Sequence, residues 1–121
     1  VRKVLYACAS LLFALFVFDG TSAGETFTCK ASWYGPPFHG KDMANGKPFD
    51  MNDPTTVAHK NLPFGTKLRL TNTKNGKTQL VVVRDRGPYA KGRCIDVSKA
   101  GAARLGFQGA GVTVLQVQVL D

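Results

Sequence analysis

Asp85 is the residue around which chemistry is most readily built. It follows the apolar run Val81-Val82-Val83, is flanked by Arg84 and Arg86, and is succeeded by Gly87-Pro88. A carboxylate at the end of a strand, with turn residues behind it, sits where a rigid scaffold hands a side chain to solvent or ligand. The other polar candidates are Asp42, Asp50, Asp53, Asp96, His39 and His59, together with Tyr34 and Tyr89. The sequence carries no serine elbow, no HExxH pair and no glycine-rich phosphate loop leading into a helix. Acid–base work by a carboxylate or a histidine is what remains. Glycoside cleavage suits a lone carboxylic acid on a β scaffold, because it needs a proton donor for the leaving oxygen and stabilisation of an oxocarbenium-like transition state. Plainer roles stand beside each candidate. Asp85 would serve equally as a turn carboxylate held by Arg84 or Arg86. Asp50 fits an Asx turn, and Trp33 fits a packed core position. Tyr34, next to Gly35, is the better cleft residue, whereas Asn45-Gly46 reads as a turn without chemistry.

The elements that must position these groups are mostly strands. Phe27–Trp33 alternates Phe27, Cys29, Ala31 and Trp33 with Thr28, Lys30 and Ser32, a period of two. Tyr34-Gly35-Pro36-Pro37 stops it, and Phe38–Phe49 is a loop with turns. Thr55–His59 is a short strand ended by the turn Leu62–Gly65. Lys67–Asn72 and Thr78–Arg84 form a hairpin across Asn75-Gly76. The three valines of the second arm predict a central strand covered on both faces. Cys94–Val97 is a further strand. Ser98 as N-cap, the alanines at 100, 102 and 103, and Gly106 as stop predict a helix of two turns at most, weakened by Gly101. Gly111–Leu120 is the last strand, and its alternation slips at Leu115-Gln116, the signature of a bulge. Six short strands and one short helix predict an all-β, small closed barrel.

Arg2 and Lys3, the uncharged run Val4–Phe18 and the small residues Thr21-Ser22-Ala23 read as a signal peptide, residues 1–23, leaving 24–121 as one exported domain. The apolar run is shorter than the roughly 20 residues a bilayer span needs. Cys8 precedes most of that run, the wrong place for a lipid-accepting cysteine, so no membrane anchor is expected after cleavage. The formal net charge of +8 suits a polyanionic partner such as a cell-wall polymer or a membrane surface, and serves solubility equally well. Export argues against nucleic acid as the partner. Cys29 and Cys94 are the two cysteines left beyond the leader, and an even count in an oxidising compartment predicts a structural disulfide. Without Cys-x-x-Cys spacing they make a poor zinc site, and neither a metal nor a cofactor is expected.

In order, Ala31-Ser32-Trp33-Tyr34-Gly35, Phe38-His39-Gly40, Ala44-Asn45-Gly46, Phe49-Asp50-Met51, Ala58-His59 and Leu62–Thr66 precede Val83–Tyr89 and Ile95-Asp96-Val97-Ser98. These blocks resemble the double-psi β-barrel domain of the rare lipoprotein A family, from about Ala31 to Val119. The resemblance implies a six-stranded double-psi barrel with one or two short helices. It also implies a periplasmic or exported lytic transglycosylase that acts on peptidoglycan glycan strands and prefers strands without stem peptides; a monomer is expected. Asp85 takes the position of the family's acid–base aspartate. Asp50, His59, Tyr34 and Arg86 are the expected substrate contacts, with Asp85, Asp50 and His59 converging at one opening of the barrel. Asp96 reads as structural at least as readily as functional. Two departures stand out: Lys47 replaces a commonly acidic residue, and Met43 replaces a common threonine. They keep open an expansin-like module that grips or loosens wall polysaccharide without cutting it. The peptidoglycan-binding domain that follows the barrel in some members is not expected to contribute. An acid in the proposed role would protonate the oxygen between N-acetylmuramic acid and N-acetylglucosamine. It would then take a proton from the sugar's own 6-hydroxyl, leaving a 1,6-anhydro end.

Overall fold

A computed structural model describes residues 24–120, so the predicted leader lies outside the described residues. Six strands and one helix follow in order: β1 (Thr26–Tyr34), β2 (Thr56–His59), β3 (Lys67–Asn72), β4 (Thr78–Asp85), β5 (Arg93–Ser98), α1 (Lys99–Leu105) and β6 (Val112–Leu120). They close into a barrel in the order β1-β5-β2-β4-β3-β6. The β1–β5 and β2–β4 pairs are parallel and the other four antiparallel. Closure removes the free edges that an open sheet of this size would expose. Alternate residues fill the interior: Leu68, Leu70, Val83, Ile95, Val97 and Val117 have no exposed surface.

The elements follow from the residue pattern with three differences. The β3–β4 hairpin turns through residues 73–77 rather than two residues, with Gly76 at φ 75° and its N–H on the Asn72 carbonyl at 2.8 Å. Asn72 is buried there and earns its place through bonds: it donates to the Leu105 carbonyl (2.8 Å) and accepts from Thr113 Oγ1 (3.0 Å). The bulge expected at Leu115-Gln116 is absent, since β6 keeps unbroken register with both neighbours. Thr113 takes the inner face with Leu115 and Val117 because Asn72 satisfies its hydroxyl, and Val114 turns outward, 40% exposed. β4 is covered on one face only. Val81 and Val83 point inward, whereas Val82 is half-buried beside the exposed Leu80 on the outside of the barrel.

Ser98 caps α1 by accepting from the Gly101 N–H (3.0 Å), and Gly106 ends it in the left-handed conformation. Gly101 has a packing reason: a Cβ there would stand 3.2 Å from the Pro54 carbonyl and 3.3 Å from Val97 Cβ. Cys29 and Cys94 form a disulfide between β1 and β5, with Cα atoms 5.9 Å apart.

Candidate functional site

Two bulges decide which way the site residues face. Between β2 and β4, Val57 pairs with Val83 and Ala58 with Asp85, so Arg84 is an extra residue. By strict alternation Asp85 would follow Val81 and Val83 into the core. The extra residue turns it outward. Between β1 and β5, Lys30 pairs with Arg93 and Ala31 with Ile95, so Cys94 is extra. That second bulge puts Arg93 on the same side as Asp96, away from Ile95 and Val97. The ladders then align one row across four strands: Ser32 on β1, Asp96 on β5, Ala58 on β2 and Asp85 on β4. Two strand spacings separate the two aspartates, about 10 Å at the backbone. Ala58 between them leaves room for a ligand.

This row lines a cavity of about 350 Å³. Tyr34, Phe38, Arg86, Tyr89 and Arg93 complete much of its wall. Phe38 is 51% and Tyr89 79% exposed. Exposed aromatic side chains beside a polar floor are suited to stacking on sugar rings.

Asp85 is held by three donors. Oδ1 accepts from the backbone N–H of Ala44 (2.9 Å) and of Arg86 (2.8 Å), and Oδ2 accepts from the Tyr34 hydroxyl (3.1 Å). With one donor recorded on Oδ2, the carboxylate keeps acceptor capacity, and Asp85 lines the cavity. Neither neighbouring guanidinium takes the carboxylate. Arg84 donates to Thr55 Oγ1 (3.0 Å) and Thr56 Oγ1 (2.9 Å) and pairs with Asp53 at 3.8 Å. Arg86 lines the cavity but its Nη1 is bound to the Leu62 (2.8 Å) and His59 (3.2 Å) carbonyls, and it lies over the Phe64 ring at 4.1 Å. It braces the loop after β2 through Nη1 alone, which leaves the Nη2 and Nε donors of the fork for a ligand in the cavity it lines.

Tyr34 stacks on the buried Phe49 ring, centroids 4.1 Å apart. Burial, then the charge and hydrogen bond of Asp85, push its phenol far above the ordinary tyrosine range, so it remains a donor to Asp85. Asp96 accepts from Ser32 Oγ. Burial raises its carboxyl above the usual range. Ser32 and Arg93 oppose that rise and the Asp85 charge adds to it. The Asp96 proton is thus held more tightly than is usual for a carboxyl.

Asp50 and His59 are not among the residues lining this cavity. Asp50 accepts from the Asn52 N–H (2.9 Å), an Asx turn, and its side chain is 60% exposed beside His39 at 4.0 Å. His59 Nδ1 accepts from the Asn61 (3.2 Å) and Leu62 (3.1 Å) N–H groups, closing the turn after β2. Burial, then Arg86 and Lys60, lower its pKa, with Glu25 opposing. The expected convergence of Asp85, Asp50 and His59 at a barrel opening is therefore not seen, since Asp85 stands on the outer face, turned there by its bulge. Trp33 packs against the core and donates Nε1–H to the Gln108 carbonyl (3.1 Å). Lys47 also lies outside the lining, and Met43 is buried, so the two departures from the family pattern leave the cavity wall untouched. Among the described residues no group of three His, Cys, Asp or Glu side chains is placed to hold a metal ion. Sequence reasoning passed over Ser32, Ala58, Arg93 and the Ala44 N–H. Ser32 and Ala58 each stand one place out of step with a core residue, which is the signal that marks an outward row.

Residues 26–118 match a sequence family described as lytic transglycolase, a span that holds the whole row and every strand but the last two residues of β6. The chain belongs to this family. Among its relatives is the endolytic peptidoglycan transglycosylase RlpA of Neisseria meningitidis serogroup A, 50% identical over 93 residues that cover 77% of this chain and 38% of that protein. The protein of the same name from Vibrio cholerae is 45% identical over 97 residues, covering 80% of this chain and 36% of its own length. The chain thus spans well under half the length of these curated relatives. Among solved structures, the Streptomyces papain inhibitor superposes with a TM-score of 0.65 at 25% identity, covering 82% of this chain and 97% of that one. An expansin from Clavibacter michiganensis gives 0.62 at 23% identity, covering 80% and 51%. At that identity the expansin shares the double-psi β-barrel fold alone.

Proposed function

We propose that this domain is a lytic transglycosylase. It cuts peptidoglycan glycan strands, outside the cytoplasm, at the bond between N-acetylmuramic acid and N-acetylglucosamine. The observation that carries the reading is the outward row in which Asp85 and Asp96 face one cavity across Ala58, in a chain about half identical to named peptidoglycan transglycosylases. Asp85 is the acid–base residue. Protonated, it gives its proton to the leaving 4-oxygen of N-acetylglucosamine as the bond to the anomeric carbon breaks. The 6-hydroxyl of N-acetylmuramic acid attacks that carbon and returns its proton to Asp85, so the group ends as it began and no water is consumed. A single carboxyl suffices because the nucleophile belongs to the substrate. Tyr34 and the Ala44 and Arg86 N–H groups hold Asp85 in place for both transfers.

One observation favours a second assignment within the same reaction: burial raises the proton affinity of Asp96, which faces the same cavity. In that version Asp96 protonates the leaving oxygen, ionised Asp85 takes the 6-hydroxyl proton, and solvent resets the pair. The experiment is release of 1,6-anhydro ends from purified glycan by the native protein, Asp85→Asn and Asp96→Asn. Loss in Asp85→Asn alone supports the single acid, and loss in both supports the pair. Retention in both removes the site from the reaction. Retention of protein on insoluble wall with no new ends from any form supports a binding module of the expansin kind.

A further inference from the structure

The wall of the barrel behind the cavity carries cations and aliphatic side chains together. Around the ring, β3 stands three strands from β5 and β6 three strands from β2, so the β3–β6 wall backs the row that holds Asp96 and Ala58. On its outer face the ladders put Lys67 between Val82 and Leu120, and Arg69 between Leu80 and Gln118. Leu80 is 54% exposed, and Lys67 and Arg69 are exposed beside it. Arg69 lies along the wall and donates to Gln118 Oε1 (2.9 Å). Leu80, Val82, Leu120 and Lys67 line an open trough of about 190 Å³. Lys74 and Lys77, exposed in the hairpin turn, carry the charge past one end of the wall. The sequence has no aspartate or glutamate from residue 54 to 84, nor from 112 to 120.

These features select among anionic partners. A closed barrel offers no free edge for a partner strand. A soluble polyanion would use the cations and leave Leu80 and the trough in water. A lipid surface uses both: its anionic head groups meet Lys67 and Arg69, while Leu80, Val82 and Leu120 reach the first apolar carbons below them. The stem of Lys67 covers apolar wall as its ammonium rises to the head groups. We infer that this wall docks on an anionic lipid surface. The docking is peripheral, since no described helix is long and apolar enough to cross a membrane. It also turns the cavity away from the lipid, leaving it open to polymer on the other side. The inference goes beyond the proposed reaction and does not depend on it.

Residues 24–121 serve for the test, because the ring closes within residues 26–120 and the apolar run Val4–Phe18 would bind lipid by itself. Phosphatidylcholine vesicles with about one-third phosphatidylglycerol should sediment the protein, and pure phosphatidylcholine vesicles should not. Each cation at such a surface is worth about fivefold in affinity, so Lys67→Gln with Arg69→Gln should weaken binding about 25-fold. Lys41→Gln with Lys91→Gln lowers the net charge equally, in exposed loops beside the cavity, and should cost no more than about threefold. Leu80→Ser keeps the charge and should cost about fivefold, the worth of half a leucine side chain leaving water. Lipid with a spin-labelled head group should broaden the amide signals of Lys67, Arg69, Leu80 and Val82 and spare those of Ala58 and Asp96, and the same spectra show each variant folded. No binding to the anionic vesicles, equal losses in the two charge pairs, native affinity in Leu80→Ser, or broadening first at Ala58 and Asp96 overturns the inference. So does binding to soluble polyphosphate as tight as to the vesicles, which assigns the wall to a polyanion without lipid. None of these readouts involves cleavage, so a failure of the transglycosylase reading leaves them unchanged.

Discussion

Tyr34→Phe isolates a single hydroxyl. The phenyl ring keeps its stack on Phe49 at 4.1 Å, and Asp85 keeps its two backbone donors on Oδ1. What disappears is the 3.1 Å bond to Oδ2. A hydrogen bond to a charged group contributes about 1.5–3 kcal/mol. Where that energy holds the reacting carboxyl in line, its loss slows cleavage by roughly 10- to 150-fold. Stability should change far less, because Tyr34 and Asp85 both line the cavity and water can take the place of the phenol. A loss of about 1 kcal/mol or less corresponds to at most roughly 4–8 °C in Tm for a domain of this size. The phenol's proton is held far above the ordinary range, so Tyr34 donates at every working pH, and the ratio of native to variant rates should stay flat up to about pH 9. The assay is kcat/KM for the release of anhydro ends across pH, with thermal melts alongside. A rate within about twofold of native refutes the idea that this hydroxyl positions Asp85. So does a rate loss matched by a collapse in Tm, which would make Tyr34 a packing residue.

Asp96→Asn should raise Tm at neutral pH and leave it nearly unchanged near pH 3. The folded carboxyl has a raised pKa, so the fold is favoured while Asp96 is protonated. That advantage is lost as pH rises through the folded pKa, a penalty that asparagine escapes while still accepting from Ser32. An equal shift at both pH values would refute the account. Reducing the Cys29–Cys94 disulfide, 65 residues apart in sequence, should cost about 4 kcal/mol in the chain-entropy model and at least about 10 °C in Tm. Melts with and without reductant, and of the double Cys→Ser variant, check it.

Much of the barrel was legible because its inward positions alternate cleanly. Leu68 and Leu70 on β3, Val81 and Val83 on β4, and Ile95 and Val97 on β5 all fall where a period of two puts them. The helix caps rest on local chemistry and the cysteine pair on an even count, whereas the hairpin was readable in its two arms but not in the length of its turn. Asp85 stood out as a charged residue ending an apolar run. The rest of the site depends on register, which one sequence does not display. Nothing local says that Arg84 and Cys94 are extra residues in their ladders, and so nothing says that Asp85 turns out or that Arg93 joins Asp96. Asp50 and His59 looked like site residues because short polar side chains beside turns look alike whether they face a ligand or satisfy the turn's own N–H groups, as these two do. The misplaced bulge in β6 came from treating Thr113 as an outward residue, when a buried asparagine makes it an inward one.

Because Asp85 and Asp96 belong to strands separated by a third, their spacing comes in whole strand widths and is locked to the closure of the barrel. Substitutions elsewhere can shift the two acids only within the flexing of the sheet and their rotamers, since a change by a whole strand would reopen the cylinder. Diversification on this scaffold is thereby channelled into the intervening alanine and the overhanging loops, which can remodel the trough for different polymers while its acidic gauge stays constant.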